Sequence, residues 1–310
     1  MPLKIAVIGV GHLGQHHARL FAAMDDVELA GVVDIKPGRA KEIADRYQTQ
    51  GFTDAADLPS DVEAVSVATP TESHVSVALP FIERGVPVLV EKPLAGSIAD
   101  ADLLIESAAK RGVLLAAGHT ERFNPAVTAA LPLVSNPRFV EVHRLGTFPD
   151  RSLDIDVIFD LMIHDLDLLL AAVASEVTSI EAVGVHVLTP RTDIANVRLR
   201  FASGCIANLT ASRISREPVR KVRFFQPHSY VSIDYASKEL EVWRLKLGEG
   251  GTAAIDGGKM AVPQEEPLKL ELQDFVQAVR SRQAPRVTGR DGRRALELAQ
   301  RITDCIKGGS

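Results

Sequence analysis

Up to about residue 120, short and nearly unbroken apolar runs alternate with amphipathic stretches. The runs at 4–8, 27–34, 62–68, 86–91 and 113–117 lack the alternation of a half-exposed strand, so they predict strands covered on both faces. Between them Ala40, Ile43, Ala44 and Tyr47 fall on one helical stripe, as do Val75, Ala78, Leu79 and Ile82. Ser97 and Asp100 stand at capping-box spacing at the head of a helix over 97–110. Strand and helix in regular succession predict βαβ units and a parallel sheet.

Beyond about residue 122 the pattern changes. A helix at 125–134, a strand at 139–145 and a long helix at 157–174 precede several strands with clean alternation. Ala195, Val197, Leu199 and Phe201 alternate with Asn196, Arg198 and Arg200, and Ser203-Gly204 turns the chain into a matching run ending near Ser212. These predict a large, mostly antiparallel open sheet with one apolar face. The Gly-rich stretch 248–258 reads as a surface loop. Two helices close the chain, one carrying Leu272, Phe275, Val276 and Val279, the other Leu296, Ala299 and Ile302. The expected organisation is two α/β domains, 1–122 and 123–310.

Composition narrows the function classes. With 310 residues, 46% hydrophobic, the chain can fill two cores. Its net charge of −5 supplies no basic field for nucleic acid. No apolar run reaches membrane length, and the first strand is too short and too soon broken by Gly9 to be a secretion signal, so a cytoplasmic location is expected. Cys205 and Cys305 are too few for a disulfide framework or a thiolate metal cage and read as free thiols in apolar segments.

Gly9-Val10-Gly11-His12-Leu13-Gly14 follows one predicted strand and opens a predicted helix, the setting in which this glycine spacing binds a dinucleotide pyrophosphate. Gly9 allows the tight turn, Gly11 the close approach of backbone to the anion, and Gly14 the packing of helix on strand, with His12 and Leu13 between them as further cofactor contacts. Asp34 ends the second strand, where an acidic side chain binds the adenosine ribose and repels a 2′-phosphate; NAD is therefore expected over NADP, with Lys36 and Arg39 nearby softening the repulsion. The N-terminal domain is thus a doubly wound Rossmann domain.

Glu91-Lys92-Pro93 ends the fourth strand at the carboxyl edge of the sheet, where a lysine can donate to a substrate oxygen. In the helix beginning near 157, a step of about 100° per residue brings Asp156, Asp160, His164 and Asp167 within roughly 80° on an otherwise apolar surface. Asp160 and His164, four residues apart, suit a carboxylate-oriented general base. A core histidine satisfied by a carboxylate and a metal site are the other readings of this stripe. No metal is expected, because turns of a single helix rarely converge on one ion.

In their order, the glycine turn, Ala68-Thr69-Pro70 followed by His74, Glu91-Lys92-Pro93, Arg122-Phe123-Asn124-Pro125 and the Asp160/His164 pair make this chain resemble the Gfo/Idh/MocA oxidoreductases. The similarity continues to Pro285-Arg286-Val287-Thr288-Gly289-Arg290-Asp291-Gly292 before the last helix. The resemblance implies NAD-dependent oxidation of a sugar hydroxyl, with Lys92 and His164 flanking the reacting group and Asp160 assisting. It places Thr69, Pro70, His74, Glu91 and Lys92 around the cofactor, and it implies a homodimer or homotetramer formed through the open sheet. Thr71 stands where Asn often follows the proline in this family.

Gly118-His119-Thr120-Glu121-Arg122-Phe123-Asn124-Pro125 and Phe224-Phe225-Gln226-Pro227 resemble more narrowly the subgroup that oxidises the 3-hydroxyl of UDP-N-acetylglucosamine to a ketone, which an aminotransferase converts to an amino sugar for surface glycans or lipid A. That resemblance implies Glu121, Arg122 and Asn124 as substrate contacts beside Lys92, Asp160 and His164. Arg213, Arg216, Arg220 and Lys221 form a basic segment that either meets a diphosphate or is a solvated face. A dehydrogenase of a free aldose or cyclitol, and a non-catalytic dinucleotide-sensing protein, remain as alternatives.

Overall fold

The structure is a computed structural model and describes residues 1–148, 153, 155–247 and 253–308. The chain forms two compact units, Met1–His119 with Leu268–Leu296, and Thr120–Pro267 with Glu297–Ser310.

In the first unit six strands, β1 (Leu3–Ile8), β2 (Val27–Val33), β3 (Gly51–Phe52), β4 (Ala64–Val67), β5 (Val88–Glu91) and β6 (Leu115–Gly118), pair in the order β3-β2-β1-β4-β5-β6. Every pairing is parallel, as the unbroken apolar runs require. The order 3-2-1-4-5-6 is that of a Rossmann domain. Helices α1 (Gly14–Ala22), α2 (Pro37–Tyr47), α3 (His74–Glu83) and α4 (Ile98–Arg111) connect the strands. The Ser97 side chain caps α4 by accepting from Asp100 N at 3.1 Å, and Gly112 at φ +65° ends it.

This unit is not continuous in sequence. Leu272, Phe275 and Val276 of a later helix share one buried cluster with Ile5, Val7, Phe21 and Leu89, so the stretch 268–296 packs with the first unit instead of following the expected single cut at 122. An amphipathic stripe shows that a helix needs a core and does not say which one.

The second unit holds an eight-stranded sheet built from β7 (Phe139–Leu145), β8 (Val177–Val185), β9 (Ile194–Phe201), β10 (Ile206–Ser212), β11 (Val219–Gln226), β12 (Ser229–Asp234), β13 (Glu239–Leu247) and β14 (Ala253–Met260). The order is β14-β13-β12-β11-β7-β10-β9-β8, antiparallel except for β7 beside β10. Ala195, Val197, Leu199 and Phe201 are buried, while on the other face of this pair Asn196 meets Thr210 at 2.9 Å and Arg198 meets Asn208 at 3.2 Å. Ser212, by contrast, is buried. The remaining helices are α5 (Pro125–Ala130) and α6 (Ile163–Ala172), then α7 (Pro267–Ser281) and α8 (Gly289–Gly308).

Three local expectations change. The loop expected over 248–258 lies outside the described residues from 248 to 252, and from Ala253 onward it is β14. Gly257 makes that pairing possible, since a Cβ there would run into the Val242 carbonyl of β13. The helix expected at 125–134 leaves α geometry after Ala130, where Pro132 withholds an N–H, and continues as the 3-10 turn Leu131–Leu133. The long helix at 157–174 opens as a π segment, Ile158–Met162, before α6.

Asp193 anchors the turn between β8 and β9. One carboxylate oxygen accepts from the backbone N–H of Val187, Leu188 and Thr189 at 2.6–2.9 Å, and the other from the Thr189 hydroxyl at 2.7 Å. Burial pushes this carboxyl up, but the donors outweigh it and hold it at about 2, against an ordinary 3.8. The resulting stability is present above the ordinary value and is lost as pH falls through about 2. Asp193→Asn is therefore expected to cost about 2 kcal/mol at neutral pH, with the gap from wild type narrowing as urea midpoints are followed from about pH 4 downward.

Candidate functional site

The glycine turn after β1 opens onto a cavity of about 970 Å³ in the first unit. Gly9 sits at φ +83°, and a Cβ there would lie 2.8 Å from the Ala68 and Thr69 backbone. At Gly14 a Cβ would collide with the Gly9 carbonyl, so turn and helix can approach only without side chains. A Cβ on Gly11 would meet nothing, and Gly11 lines the cavity with His12. Leu13, 42% exposed, precedes α1.

Asp34 ties the ends of β1 and β2 together. One carboxylate oxygen accepts from Val10 N at 3.2 Å and the other from Lys36 N at 3.0 Å. Arg39 is committed to the same turn, donating to the Val10 carbonyl at 2.7 Å and the Gly11 carbonyl at 3.3 Å while Glu42 balances its charge at 2.9 Å. Of the two cations expected to soften repulsion of a 2′-phosphate, Arg39 is thus already paired, while Lys36 lines the cavity.

Thr69 and Pro70 line the cavity at the end of β4. The Thr69 hydroxyl oxygen is buried and has no hydrogen-bond partner among the described residues, which marks it for a bound group. A glycine cradle at a helix N-terminus, an acidic group at the second strand and an unsatisfied hydroxyl at the fourth together fit a dinucleotide.

Two residues expected at the cofactor lie behind this wall. His74 is 1% exposed, with Nδ1 2.9 Å from the Pro93 carbonyl oxygen and Nε2 3.0 Å from that of Thr69. Glu91 is 5% exposed and faces His17 at 3.1 Å. Lys92 itself is half-buried at the end of β5.

In the second unit the polar stripe of the long helix is divided. Asp160 lies in the π segment and His164 in the first turn of α6, both half-buried. Asp156 precedes the helix and accepts from Thr192 N at 2.8 Å, while Asp167 is buried against Arg122 at 3.3 Å. The π winding breaks the uniform step on which the fourfold stripe was projected.

The octapeptide residues expected at substrate are held by internal partners. Glu121 accepts from Arg144 at 3.1 Å, Arg122 pairs with Asp167, and Asn124 caps α5 through Ala126 N at 3.1 Å while donating to the Tyr235 carbonyl at 3.2 Å. Arg144, 4% exposed, also grips Asp165 through two bonds of 2.6 and 2.9 Å, with its guanidinium 5.1 Å from the Tyr235 ring centroid. Burial alone would lower the Arg144 pKa, but the Asp165 and Glu121 carboxylates raise it well above its ordinary value and keep it charged. Arg213 of the basic segment is buried beside Asp193, and Lys221 pairs with Asp234.

Sequence reasoning passed over Arg144, Asp165 and His17. A signal existed for Arg144, which shares the inward-facing alternation of β7 with Val140 and Val142. His17 and its partners Ser66 and Glu91 are separated by 49 and 74 residues, so nothing local announces them.

Comparison with known proteins agrees with this geometry. The chain is 38% identical to UDP-N-acetylglucosamine 3-dehydrogenase of Acidithiobacillus ferrooxidans over 98% of its own length and 97% of that protein. A solved structure of that organism's UDP-N-acetylglucosamine 3-dehydrogenase superposes with a TM-score of 0.93 at 36% identity, covering 99% of each chain. The myo-inositol 2-dehydrogenase of Thermotoga maritima is 26% identical, covering 96% of this chain and 94% of that one. Residues 3–119 match the oxidoreductase family with an NAD-binding Rossmann fold, and residues 136–227 match the C-terminal domain of the same family. The chain belongs to the Gfo/Idh/MocA family of NAD-binding oxidoreductases.

Proposed function

We propose that this dehydrogenase oxidises the 3-hydroxyl of UDP-N-acetylglucosamine to a ketone. The observation that carries the reading is 38% identity along nearly the whole chain to a protein of that activity, against 26% to an inositol dehydrogenase of similar coverage. Residues 1–119 supply the cofactor site and the second unit the substrate side. The glycine turn, Asp34 and Thr69 would hold NAD+, which when bound would accept the hydride. His164 takes the hydroxyl proton as the C–H bond breaks and the carbon–oxygen double bond forms, Asp160 supports the imidazolium, and Lys92 steadies the growing negative charge on oxygen. Glu121, Arg122 and Asn124 act one layer back, holding the elements that carry these groups.

The same reading places a homodimer or homotetramer in the cytoplasm, with the polar ladder of Asn196, Arg198, Asn208 and Thr210 offering a hydrogen-bonding face for a second copy. No helix among the described residues is long and apolar enough to cross a membrane.

The test supplies NAD+ or NADP+ with UDP-N-acetylglucosamine, free aldoses and inositols in turn and follows cofactor reduction. Reduction of NAD+ with the nucleotide sugar alone is the expected result. Reduction with free sugars or cyclitols in its place overturns the substrate assignment, and cofactor binding without reduction by any of them overturns the catalytic reading.

A further inference from the structure

The turn that carries Lys92 has a buried histidine on each side. His17, from the second turn of α1, is fully buried, with Nδ1 2.8 Å from the Ser66 hydroxyl and Nε2 3.1 Å from Glu91 Oε1. A carboxylate only accepts, so Nε2 carries a proton, and in the neutral ring Nδ1 accepts from Ser66. Burial would push the Glu91 carboxyl up, yet its interactions with His17 and Lys92 together outweigh it and hold the group below the ordinary carboxylate range. Its second oxygen accepts from Lys92 N at 3.2 Å. Room for this carboxylate is built into β6, where a Cβ on Gly118 would come within 2.9 Å of Glu91 Cδ. On the other side His74 lies between the Pro93 and Thr69 carbonyl oxygens, and a neutral ring, with one N–H, donates to only one of them.

We propose that His17 is a positioning residue for Lys92, acting through the Glu91 carboxylate. The physical need is clear. A lysine side chain has four flexible carbons, so where its ammonium can reach depends on where its backbone is held. A polar trio inside a core is costly to assemble and would be replaceable by apolar side chains if packing were its only role. Its three members come from α1, β4 and β5, so it locks the glycine-turn helix, the central strand and the lysine turn into one geometry.

The proposal rests on the reading of Lys92 as the residue that steadies substrate oxygen, and its test separates the two. His17→Ala is expected to lower kcat about 10- to 100-fold, as a misplacement near 1 Å does, with the NAD+ dissociation constant changed less than about threefold. His17→Gln, which keeps a donor toward Glu91, recovers most of that loss. In a Lys92→Ala background, measured by single turnover with enzyme in excess, His17→Ala has no further effect. If Lys92→Ala alone turns over like wild type, the reading of Lys92 falls. If Lys92→Ala is slow and His17→Ala slows it again by the same factor, His17 acts elsewhere and the proposal is overturned. Should His17→Ala not fold, the double variant His17→Leu/Glu91→Leu removes the pair without leaving either group buried and unpartnered. A folded double variant with wild-type kcat overturns the proposal equally.

Discussion

Replacing His164 with alanine is expected to lower kcat by about 10²- to 10⁴-fold, the usual contribution of a positioned general base, while NAD+ affinity changes less than about threefold. The separation of the two effects follows from where the residues lie. Gly9, Gly11, Asp34 and Thr69 all belong to the first compact unit, whereas His164 belongs to the second, so its truncation leaves the cofactor cradle intact. Single-turnover reduction measures the chemical step, and calorimetric titration with NAD+ measures the affinity. Added imidazole should restore part of the lost rate, because a free base can occupy the space left by the ring. Wild-type turnover in the variant would remove His164 from the mechanism, and a rate loss that matches a loss of NAD+ affinity would make its role structural. Asp160→Asn should fall in the same direction and less far, since it weakens the support of the imidazolium without removing the base.

The parts of this architecture that depend on short-range pattern were legible. Unbroken apolar runs gave the parallel sheet, and the alternation through Ala195, Val197, Leu199 and Phe201 gave β9 and its hairpin partner, down to the turn at Gly204, which sits at φ +83°. The glycine turn was legible because its three positions carry three different steric demands, each visible as a collision or an opening at the Cβ site. β14 was hidden for the opposite reason. It is an edge strand exposed along nearly its whole length, so it carries no hydrophobic period, and its glycines imitate a loop. Placement of α7 with the first unit was likewise out of reach, because the cluster partners of Leu272 and Phe275 on other elements lie at least about 150 residues away in sequence.

The candidate site divides along the same line. Motif order singled out Lys92, Asp160 and His164, the side chains on which the proposed chemistry rests. It could not tell residues that touch ligand from residues that hold those residues in place, since both kinds recur together in a family. Glu91 and His74, expected at the cofactor, are buried with protein partners; Glu121, Arg122 and Asn124, expected at the substrate, are bonded within the second unit. The distinction appears only with burial and partners. Of these only His74 and Asn124 are under 5% exposed, and such a side chain, with its hydrogen bonds ending on protein, has little left to offer a ligand.

Arg144→Ala should be the most damaging single change to the second unit, costing about 3–5 kcal/mol, because it leaves the Asp165 carboxylate buried without its counter-ion. Arg144 is reached from three sides: Asp165 on α6, Glu121 in the turn Thr120–Phe123, and the face of Tyr235 after β12. It therefore joins β7 to the helix that carries His164 one residue before Asp165. The single tryptophan, Trp243 on β13, reports on this unit, so urea unfolding followed by its fluorescence gives the shift in midpoint directly. A destabilisation below about 1 kcal/mol would show that the cluster is a surface-like pair of small worth. Replacing the whole cluster by apolar side chains, as Arg144→Met/Asp165→Leu/Glu121→Leu, is expected to recover most of the stability, since no uncompensated charge then remains. Turnover should not recover with it. The two guanidinium–carboxylate bonds fix the angle at which α6 presents His164, and apolar contacts of similar volume restore cohesion without that direction. A triple variant that is both stable and fully active would mean that packing alone sets the orientation of His164.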